Sequence, residues 1–342
     1  MATANSIPVN TCRICKNSKG NVCYVAREMA YGLKDEFTYF ECAQCHCLQI
    51  QELPSEMTRY YPDNYYSFSE YSGRKFKGAL GRLNRLKYSS LIFGTNAIQK
   101  IAGSFTGIND FYIFDGLGVH KKSRILDIGC GNGQSFLYPL AEIGFTNLKG
   151  CDPYLKGPIA YPNGLQIDNT KVNEVSGAWD IITYHHSFEH IDNPIENLEK
   201  IFTLLAPEGV CIIRIPTVSS FAWEHYKTNW VQLDAPRHFF LHSIKSMQTL
   251  GEITGLELYK TVYDSNYFQF AGSENYLKHI SFITPRPKGL MNLIKRKIKK
   301  HQYTKQAKQL NAEGRGDQAA FFFRKRKVVV LPDPISQRKS NK

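Results

Sequence analysis

The sequence predicts an α/β protein whose main domain is a doubly wound, mostly parallel sheet. Three observations carry this: a strand, glycine turn and helix over residues 123–144, alternating strand and helix patterns up to residue 265, and two Cys-x-x-Cys pairs near the start. Alternating strands and helices are typical of a parallel sheet covered by helices. The 342 residues, of which 42% are hydrophobic, suffice for several units. We divide them into a cysteine module, an aromatic and helical connector, the α/β domain and a C-terminal extension, at residues 1–55, 56–120, 121–265 and 266–342.

The glycine turn is the central motif. The apolar strand before it contains Asp127 and is followed by Gly129, Gly131 and Gly133, after which a helical pattern runs over residues 134–144. Glycine allows a sharp turn and lets a ligand come close to the backbone. In open α/β sheets ligands bind at the carboxyl ends of the strands. We therefore expect backbone amides at the three glycines to face a ligand.

The motif Asp-x-Gly-x-Gly-x-Gly resembles the cofactor site of class I methyltransferases, which use S-adenosyl-L-methionine (SAM). The resemblance covers roughly residues 121–265 and implies a Rossmann-like fold in which Asp127 and the three glycines bind SAM. Asp152 ends the second predicted strand, where an acid can accept hydrogen bonds from both ribose hydroxyls. The resemblance also implies that Asp168, after the third strand, meets the adenine amino group. His185, after the fourth strand, is expected beside the methionine part of SAM.

The cysteine module has the ligand spacing of a structural zinc site. Cys12 and Cys15 form one pair, and Cys42 and Cys45 form the other. Each pair places two thiolates on one side of a tight turn, and four thiolates complete a tetrahedral shell. Four protein ligands leave no open position, so this zinc is expected to hold the fold and to take no part in chemistry.

Further segments indicate a narrower group within the class I methyltransferases. HHSFEHIDNP and LLAPEG are similar to the segment after strand four and the Pro-Gly turn of class I methyltransferases. The two cysteine pairs and WVQLDAPRHFFLHS resemble bacterial methyltransferases that act on sugars of surface polysaccharide or nucleotide-sugar pathways. This resemblance implies a sugar or glycan acceptor and leaves O- and C-methylation open.

Transfer to a hydroxyl benefits from a general base, and histidine suits that role because its pKa lies near neutrality. The first candidate is His238, on a loop expected to overhang the acceptor; His225 and His186 are the others. Arg237 is expected to pair with an anionic group of the substrate. Aromatic residues in the same region could stack on a sugar or pack in the core: Trp223, Tyr226 and Trp230.

The charge of +13 is concentrated near the C-terminus, where residues 281–342 hold 17 Lys and Arg against 3 Asp and Glu. Within residues 286–300, a basic amphipathic helix predicts either contact with an anionic membrane surface or docking of its apolar stripe on the body. The rest of the chain is nearly neutral, so nucleic acid is not the expected partner. We expect a cytoplasmic protein, with a peripheral position at the inner membrane face as the alternative, because no signal peptide or membrane span is visible.

Two other functions remain open at this point. The zinc module and basic tail would suit an RNA methyltransferase, although YHHS rather than a base-methylating tetrapeptide follows the fourth strand. A non-catalytic adaptor with a vestigial cofactor site would not need the complete set of Asp127, the glycines and Asp152. The segment at residues 321–332 reads as a buried strand with a charge cluster, and the sequence gives it no place in the sheet.

Gly131→Val is expected to abolish SAM binding, because a branched side chain would enter the turn on which the cofactor lies. Isothermal titration calorimetry with SAM measures this, and a zinc content of one ion per chain shows that the module is still folded. Unchanged calorimetric binding would refute the predicted cofactor site.

Overall fold

The computed structural model describes residues 10–61, 71–94, 110–285, 287 and 289–326. Its strands form two sheets, one of four strands near the N-terminus and one of eight strands in the main domain. The strands are β1 (Val22–Arg27), β2 (Glu36–Glu41), β3 (Leu48–Ile50), β4 (Ile125–Ile128), β5 (Leu148–Cys151), β6 (Ile159–Ala160), β7 (Gln166–Asp168), β8 (Trp179–His185), β9 (Leu205–Pro216), β10 (Phe240–Leu241), β11 (Leu256–Tyr263) and β12 (Gln318–Lys325).

The α-helices cover the sheet and extend the chain beyond it. They are α1 (Gly78–Phe93), α2 (Leu137–Glu142), α3 (Pro194–Leu204), α4 (Phe221–Tyr226), α5 (Ile244–Thr254), α6 (Phe268–Leu277) and α7 (Leu290–Ala312). Helix α2 begins three residues after the predicted start at residue 134. The predicted Pro-Glu-Gly turn lies within β9, where the pairing with β8 slips between Trp179–Leu205 and Ile181–Val210.

The large sheet has the order β11-β12-β9-β8-β4-β5-β7-β6. Strands β4, β5, β7, β8 and β9 run parallel, whereas β12 is antiparallel to both of its neighbours and β6 is antiparallel to β7. The four residues of β4 are all buried, as expected for a central strand covered on both faces. The carboxyl ends of the parallel strands therefore meet along one edge, which confirms the predicted α/β, Rossmann-like fold.

Strand β12 contains residues 321–325 of the predicted segment 321–332 and gives this part its place in the sheet. Its Phe321, Phe322 and Phe323 are fully buried, and alternate residues enter the two opposite layers of the core. A continuous apolar run is what a strand between two others requires. The range 266–342, predicted as an extension, thus contains a strand of the main sheet; residues 327–342 lie outside the described part.

The cysteine module is built on the small sheet. Strands β1 and β2 form the predicted hairpin, and β3 pairs with β2. The fourth strand, β10, comes from the main domain and pairs with β3 through Phe240–Gln49 and Leu241–Leu48. Sequence patterns did not predict this pairing, which joins the module to the main domain by backbone hydrogen bonds.

The connector is described only in part. Helix α1 exposes Leu80, Leu83 and Leu86, while Tyr88 and Leu91 pack inward. Residues 62–70, in the tyrosine-rich part of the connector, lie outside the described residues, as do residues 95–109.

Helix α7 is docked only at its C-terminal half. Ala307 and Leu310 are buried, but the apolar stripe of the first half is exposed, at 74% for Leu290, 43% for Ile294 and 54% for Ile298. Docking of that stripe on the body, one of the two alternatives above, is therefore not what the structure shows. Among the described helices none combines the length and apolar character that a bilayer crossing requires.

Candidate active site

The glycine turn follows β4 and has the left-handed backbone that favours glycine, with φ of +67° at Gly129, +54° at Gly131 and +68° at Gly133. A side chain at Gly129 would come within 2.4 Å of Ser187 Cβ, and one at Gly133 within 2.7 Å of Ile167 Cδ1. The turn thus needs glycine at these two positions for both conformation and packing.

The expectation that the glycine amides are free to face a ligand is wrong. The N–H of Gly129 donates to Cys151 O at 2.8 Å, and that of Gly133 donates to Cys130 O at 3.0 Å. The N–H of Gly131 donates to Asp152 Oδ2 at 2.9 Å. These bonds hold β4, β5 and the turn together, so the glycines provide shape and close approach rather than free donors.

Asp152 lies at the end of β5, directly beside the turn. Its side chain is buried, and Oδ1 accepts a hydrogen bond from the N–H of Tyr154 at 2.9 Å. Burial raises the pKa of this carboxyl, while the two backbone donors, Tyr154 and Gly131, lower it. The carboxylate is thus fixed at the carboxyl edge of the sheet rather than turned to bulk solvent, a position that fits an acceptor for ribose hydroxyls.

Asp127 supports the turn from inside the sheet. It is buried within β4, and its Oδ1 accepts a hydrogen bond from Thr183 Oγ1 at 2.8 Å. Burial raises the pKa of Asp127 to about 7, with the nearby charge of Asp152 adding to the shift. These contacts join two neighbouring strands, β4 and β8, just before the turn.

Asp168 and His185 end β7 and β8 at the same edge. The Asp168 carboxylate forms an ion pair with Lys149 Nζ at 2.7 Å. His185 is half-buried and packs against the ring of Phe136, with ring centroids 4.3 Å apart, and desolvation lowers its pKa well below the usual value. Their predicted contacts with the adenine and methionine parts of SAM remain predictions.

A cluster of histidines surrounds Glu189 just beyond β8. Glu189 is fully buried, and its Oε1 lies 3.6 Å from His186 Nδ1 and 3.8 Å from His238 Nε2. Burial opposes ionisation of Glu189, but the neighbouring histidines keep its pKa below the usual value. The ring of His190 packs edge-on against that of His238, with centroids 4.8 Å apart. The structure thus brings together His186 and His238, two of the three predicted catalytic residues.

His238 differs from the expected base in one respect. It is buried, its Nδ1 lies 2.7 Å from Gln232 O, and burial lowers its pKa to about 4. The expectation of a pKa near neutrality is therefore wrong, because the surroundings disfavour the imidazolium form. His238 is neutral at pH 7, and its role as a base remains a prediction.

The other residues predicted on the acceptor side have different surroundings. His225 is exposed on α4 and stacks on Phe221, with ring centroids 5.2 Å apart. Arg237 is buried between Asp234 and Glu28, so it does not offer a free guanidinium to a substrate. Tyr226 and Trp230 are buried and pack in the core rather than forming a stacking surface for sugars. Trp223 is also buried, but it belongs to the lining of a cavity between the cysteine module and the main domain.

Glu189 and His190 are not among the site residues that the sequence predicted. A usable signal was present, since His186, Glu189 and His190 fall within five residues immediately after a strand at the ligand-binding edge. What the sequence could not show is that His238, 48 residues further on, folds back onto them.

The four cysteines of the module converge as predicted. Sγ of Cys12 is 3.5 Å from that of Cys45, Sγ of Cys15 is 3.4 Å from that of Cys42, and all four lie within 4.8 Å of one another. Bonds of about 2.3 Å to one tetrahedral zinc ion would place the sulfurs just under 4 Å apart. The residues after the two pairs, Lys16 and His46, have matching left-handed conformations.

The hydrogen bonds that the sulfur atoms accept are also those expected for thiolates. Gln49 Nε2 donates to Cys12 Sγ at 3.2 Å, and the backbone N–H groups of Gln44 and Cys45 donate to Cys42 Sγ at 3.4 and 3.5 Å. Such donors stabilise the negative charge of bound sulfur. The cluster therefore fits the predicted structural zinc ion, which would be closed to further ligands.

Comparison with known proteins agrees with this architecture. Residues 112–261, less than half of the chain, match a family described as a methyltransferase domain. A ubiquinone biosynthesis O-methyltransferase of Psychrobacter cryohalolentis is 27% identical over 103 residues, covering 26% of this chain and 39% of that protein. The chain thus matches only about two fifths of that relative's length.

Two solved structures are also similar to this chain. A SAM-dependent methyltransferase of Thermotoga maritima is 17% identical, with a TM-score of 0.38, covering 60% of this chain and 83% of that chain. A cyclopropane synthase of Mycobacterium tuberculosis is 15% identical, with a TM-score of 0.40, covering 69% of this chain and 93% of that chain.

The sheet, the glycine turn and the family match define a class I SAM-dependent methyltransferase domain. More particularly, the chain carries this methyltransferase domain joined to a small antiparallel sheet with a four-cysteine cluster.

Cys45→Ser is expected to lose the zinc ion and to lower the unfolding midpoint by roughly 6–12 °C, which corresponds to about 3 kcal/mol at 2–4 °C per kcal/mol. The module would lose the ion that ties its two turns together. Metal analysis and thermal unfolding followed by circular dichroism measure both effects. The matched control is Cys23→Ser, at an exposed cysteine outside the cluster; zinc retained in Cys45→Ser would contradict the site.

Proposed function

We propose that this protein is a SAM-dependent methyltransferase that transfers a methyl group to a sugar, free as a nucleotide-sugar or carried on a lipid-linked or surface glycan. The observation that carries methyl transfer is the buried Asp152 carboxylate beside the glycine turn, at the carboxyl edge of a sheet that matches a methyltransferase domain. When bound, SAM supplies an electrophilic methyl group. Asp152 would hold its ribose, and the turn would let it approach the backbone.

A cavity of about 540 Å³ has a polar lining that would suit a polar acceptor, and its lining residues are separate from the glycine turn and from the histidines around Glu189. It lies between the cysteine module and the main domain, and its lining includes Glu41, Glu224, Lys227, Lys245 and Gln248. This volume lies within the usual range of small-molecule sites, roughly 300–1,000 Å³. Carboxylates, ammonium groups and an amide suit the hydroxyl groups of a sugar and a phosphate attached to it. The resemblance of the two cysteine pairs and of residues 230–243 to sugar methyltransferases favours the same acceptor class.

Asp152→Asn is expected to weaken SAM binding roughly 10–100-fold, because a hydrogen bond to a charged group contributes about 1.5–3 kcal/mol. Calorimetry with SAM measures this. The control is Asp180→Asn, at a partly exposed aspartate paired with Arg124 near the start of β8, away from the carboxyl edge. Equal SAM affinity in the two variants would contradict the assigned cofactor site.

The acceptor is tested with methyl-labelled SAM and pools of nucleotide-sugars, lipid-linked glycans and RNA. Label in a sugar-containing product supports the proposal, whereas label only in RNA contradicts it. Deleting residues 286–342 is not a usable control here, because it would remove β12 from between β11 and β9.

We also propose that the first half of α7 contacts an anionic membrane surface. Its exposed apolar stripe, Leu290, Met291, Ile294 and Ile298, lies beside a dense group of cations: Lys295, Arg296, Lys297, Lys299 and Lys300. Apolar burial in the interface combined with attraction to anionic lipid is the usual basis of such binding.

Replacing Lys295, Arg296 and Lys297 together by Gln is expected to weaken binding to vesicles of 30% phosphatidylserine about 100-fold, at about 1 kcal/mol per basic residue. Vesicle co-sedimentation measures this. The control replaces Lys305 and Lys308, which are exposed on the docked half of the same helix. Equal loss in both variants, or no binding by the natural chain, would contradict the membrane contact.

A further inference from the structure

Glu189, His190 and His238, which we call the Glu189 cluster, have the composition of a metal site. One potential ligand atom from each residue lies within 4.8 Å of the others, and Glu189 and His238 are buried. The cluster is distinct from the four cysteines of the module. It lies after β8, with Ser187 of the same segment against Gly129 of the cofactor turn.

The hydrogen bonds of the two histidines fix which ring nitrogens are available. His190 Nδ1 is 2.7 Å from Arg237 O, and His238 Nδ1 is 2.7 Å from Gln232 O. A carbonyl oxygen only accepts, so each Nδ1 must carry the hydrogen. In the neutral form of an imidazole held in this way, the lone pair is on Nε2. A histidine whose other ring nitrogen donates to a carbonyl is the usual arrangement at protein metal sites.

Glu189 provides the second, independent observation. Its side chain is fully buried, and among the described residues neither carboxylate oxygen has a hydrogen-bond partner. Burying a carboxylate that makes no hydrogen bond is costly, and the nearest histidine nitrogen, His186 Nδ1 at 3.6 Å, is beyond hydrogen-bond distance, so these two oxygens call for an explanation. Oε1 lies 3.8 Å from His238 Nε2, which is too long for a hydrogen bond. Ligand atoms each about 2.0–2.2 Å from one ion lie roughly 3–4 Å apart, which matches this distance.

We propose that the Glu189 cluster binds a divalent transition-metal ion, such as Mn²⁺ or Zn²⁺, through Glu189 and the Nε2 atoms of His190 and His238. Two imidazoles and one carboxylate suit ions of this class. Three protein ligands leave open positions, unlike the closed four-cysteine site. Asp234, with Oδ2 at 3.8 Å from His238 Nε2, is held by its ion pair with Arg237 and adds negative charge next to the site.

The open positions of such an ion bind oxygen donors. The metal would therefore bind and orient an oxygen atom of the acceptor at the edge where the cofactor turn lies. This use of the ion rests on the proposed function, whereas binding of the ion itself does not.

The test uses the full chain with one equivalent of zinc in the cysteine site and titrates it with MnCl₂ alone, without SAM. Manganese is the probe because thiolates are poor ligands for it, so the cysteine site does not compete. Electron paramagnetic resonance of free Mn²⁺ is expected to show one saturable ion per chain. At metal sites, removing a residue that hydrogen-bonds to a metal ligand typically lowers the metal affinity 10–100-fold. Glu189→Gln and His238→Gln each remove a metal ligand itself, so each is expected to weaken Mn²⁺ binding by at least about 100-fold.

Matched controls are Glu196→Gln and His225→Gln, at exposed or partly exposed residues outside the cluster, and both are expected to bind Mn²⁺ like the natural chain. Absence of saturable Mn²⁺ binding by the natural chain overturns the proposal, as does equal affinity in the ligand variants and the controls. If a ligand variant fails to fold, pulsed resonance on the natural chain decides, because two imidazole ¹⁴N couplings support the site and their absence overturns it. SAM calorimetry on the same sample tests the proposed function separately.

Discussion

The structure depends on a buried ion pair that joins the cysteine module to the methyltransferase domain. Arg237 is buried, pairs with Asp234 and approaches Glu28 of the module, and its Nη1 donates to Tyr60 O at 3.0 Å. A buried charge is expensive unless it is paired, and removing one partner typically costs 3–5 kcal/mol. The pair therefore fixes how the module lies against the domain rather than adding general stability.

Neighbouring contacts extend this attachment along the same segment. Strand β10 pairs with β3, Ser243 Oγ donates to Cys45 O, and Tyr39 Oη donates to His238 O at 2.9 Å. On its other side, the N–H of Phe239 donates to Glu189 O at 2.8 Å. The loop that carries His238 is thus held between the cysteine site and the Glu189 cluster. A structural metal in the module, although closed to substrates, would in this way position a residue of the candidate active site.

The C-terminal part of the chain combines two roles that its composition obscures. Strand β12 lies between β9 and β11, so the sheet is complete only after the chain has made the excursion through α6 and α7. The basic residues of this region therefore fall into two groups. Arg324 of β12 pairs with Glu257 of β11, whereas the cations near the start of α7 are exposed to solvent. Charge counting alone treated the whole region as one tail.

The sequence by itself determined the features that rest on local spacing: the strand and glycine turn around Asp127, the acid at the end of the next strand, and the two cysteine pairs. The hydrophobic periodicity and the types of residue in each segment are enough to predict these features, because residues that are close along the chain are also close in space. Only the tertiary structure decided that Glu189 meets His238, that Arg237 is a buried partner of Glu28, that the glycine amides are already bonded, and that β12 enters the sheet. Each of these depends on contacts between distant segments, and side-chain burial, pairing and pKa follow from those contacts rather than from the local pattern.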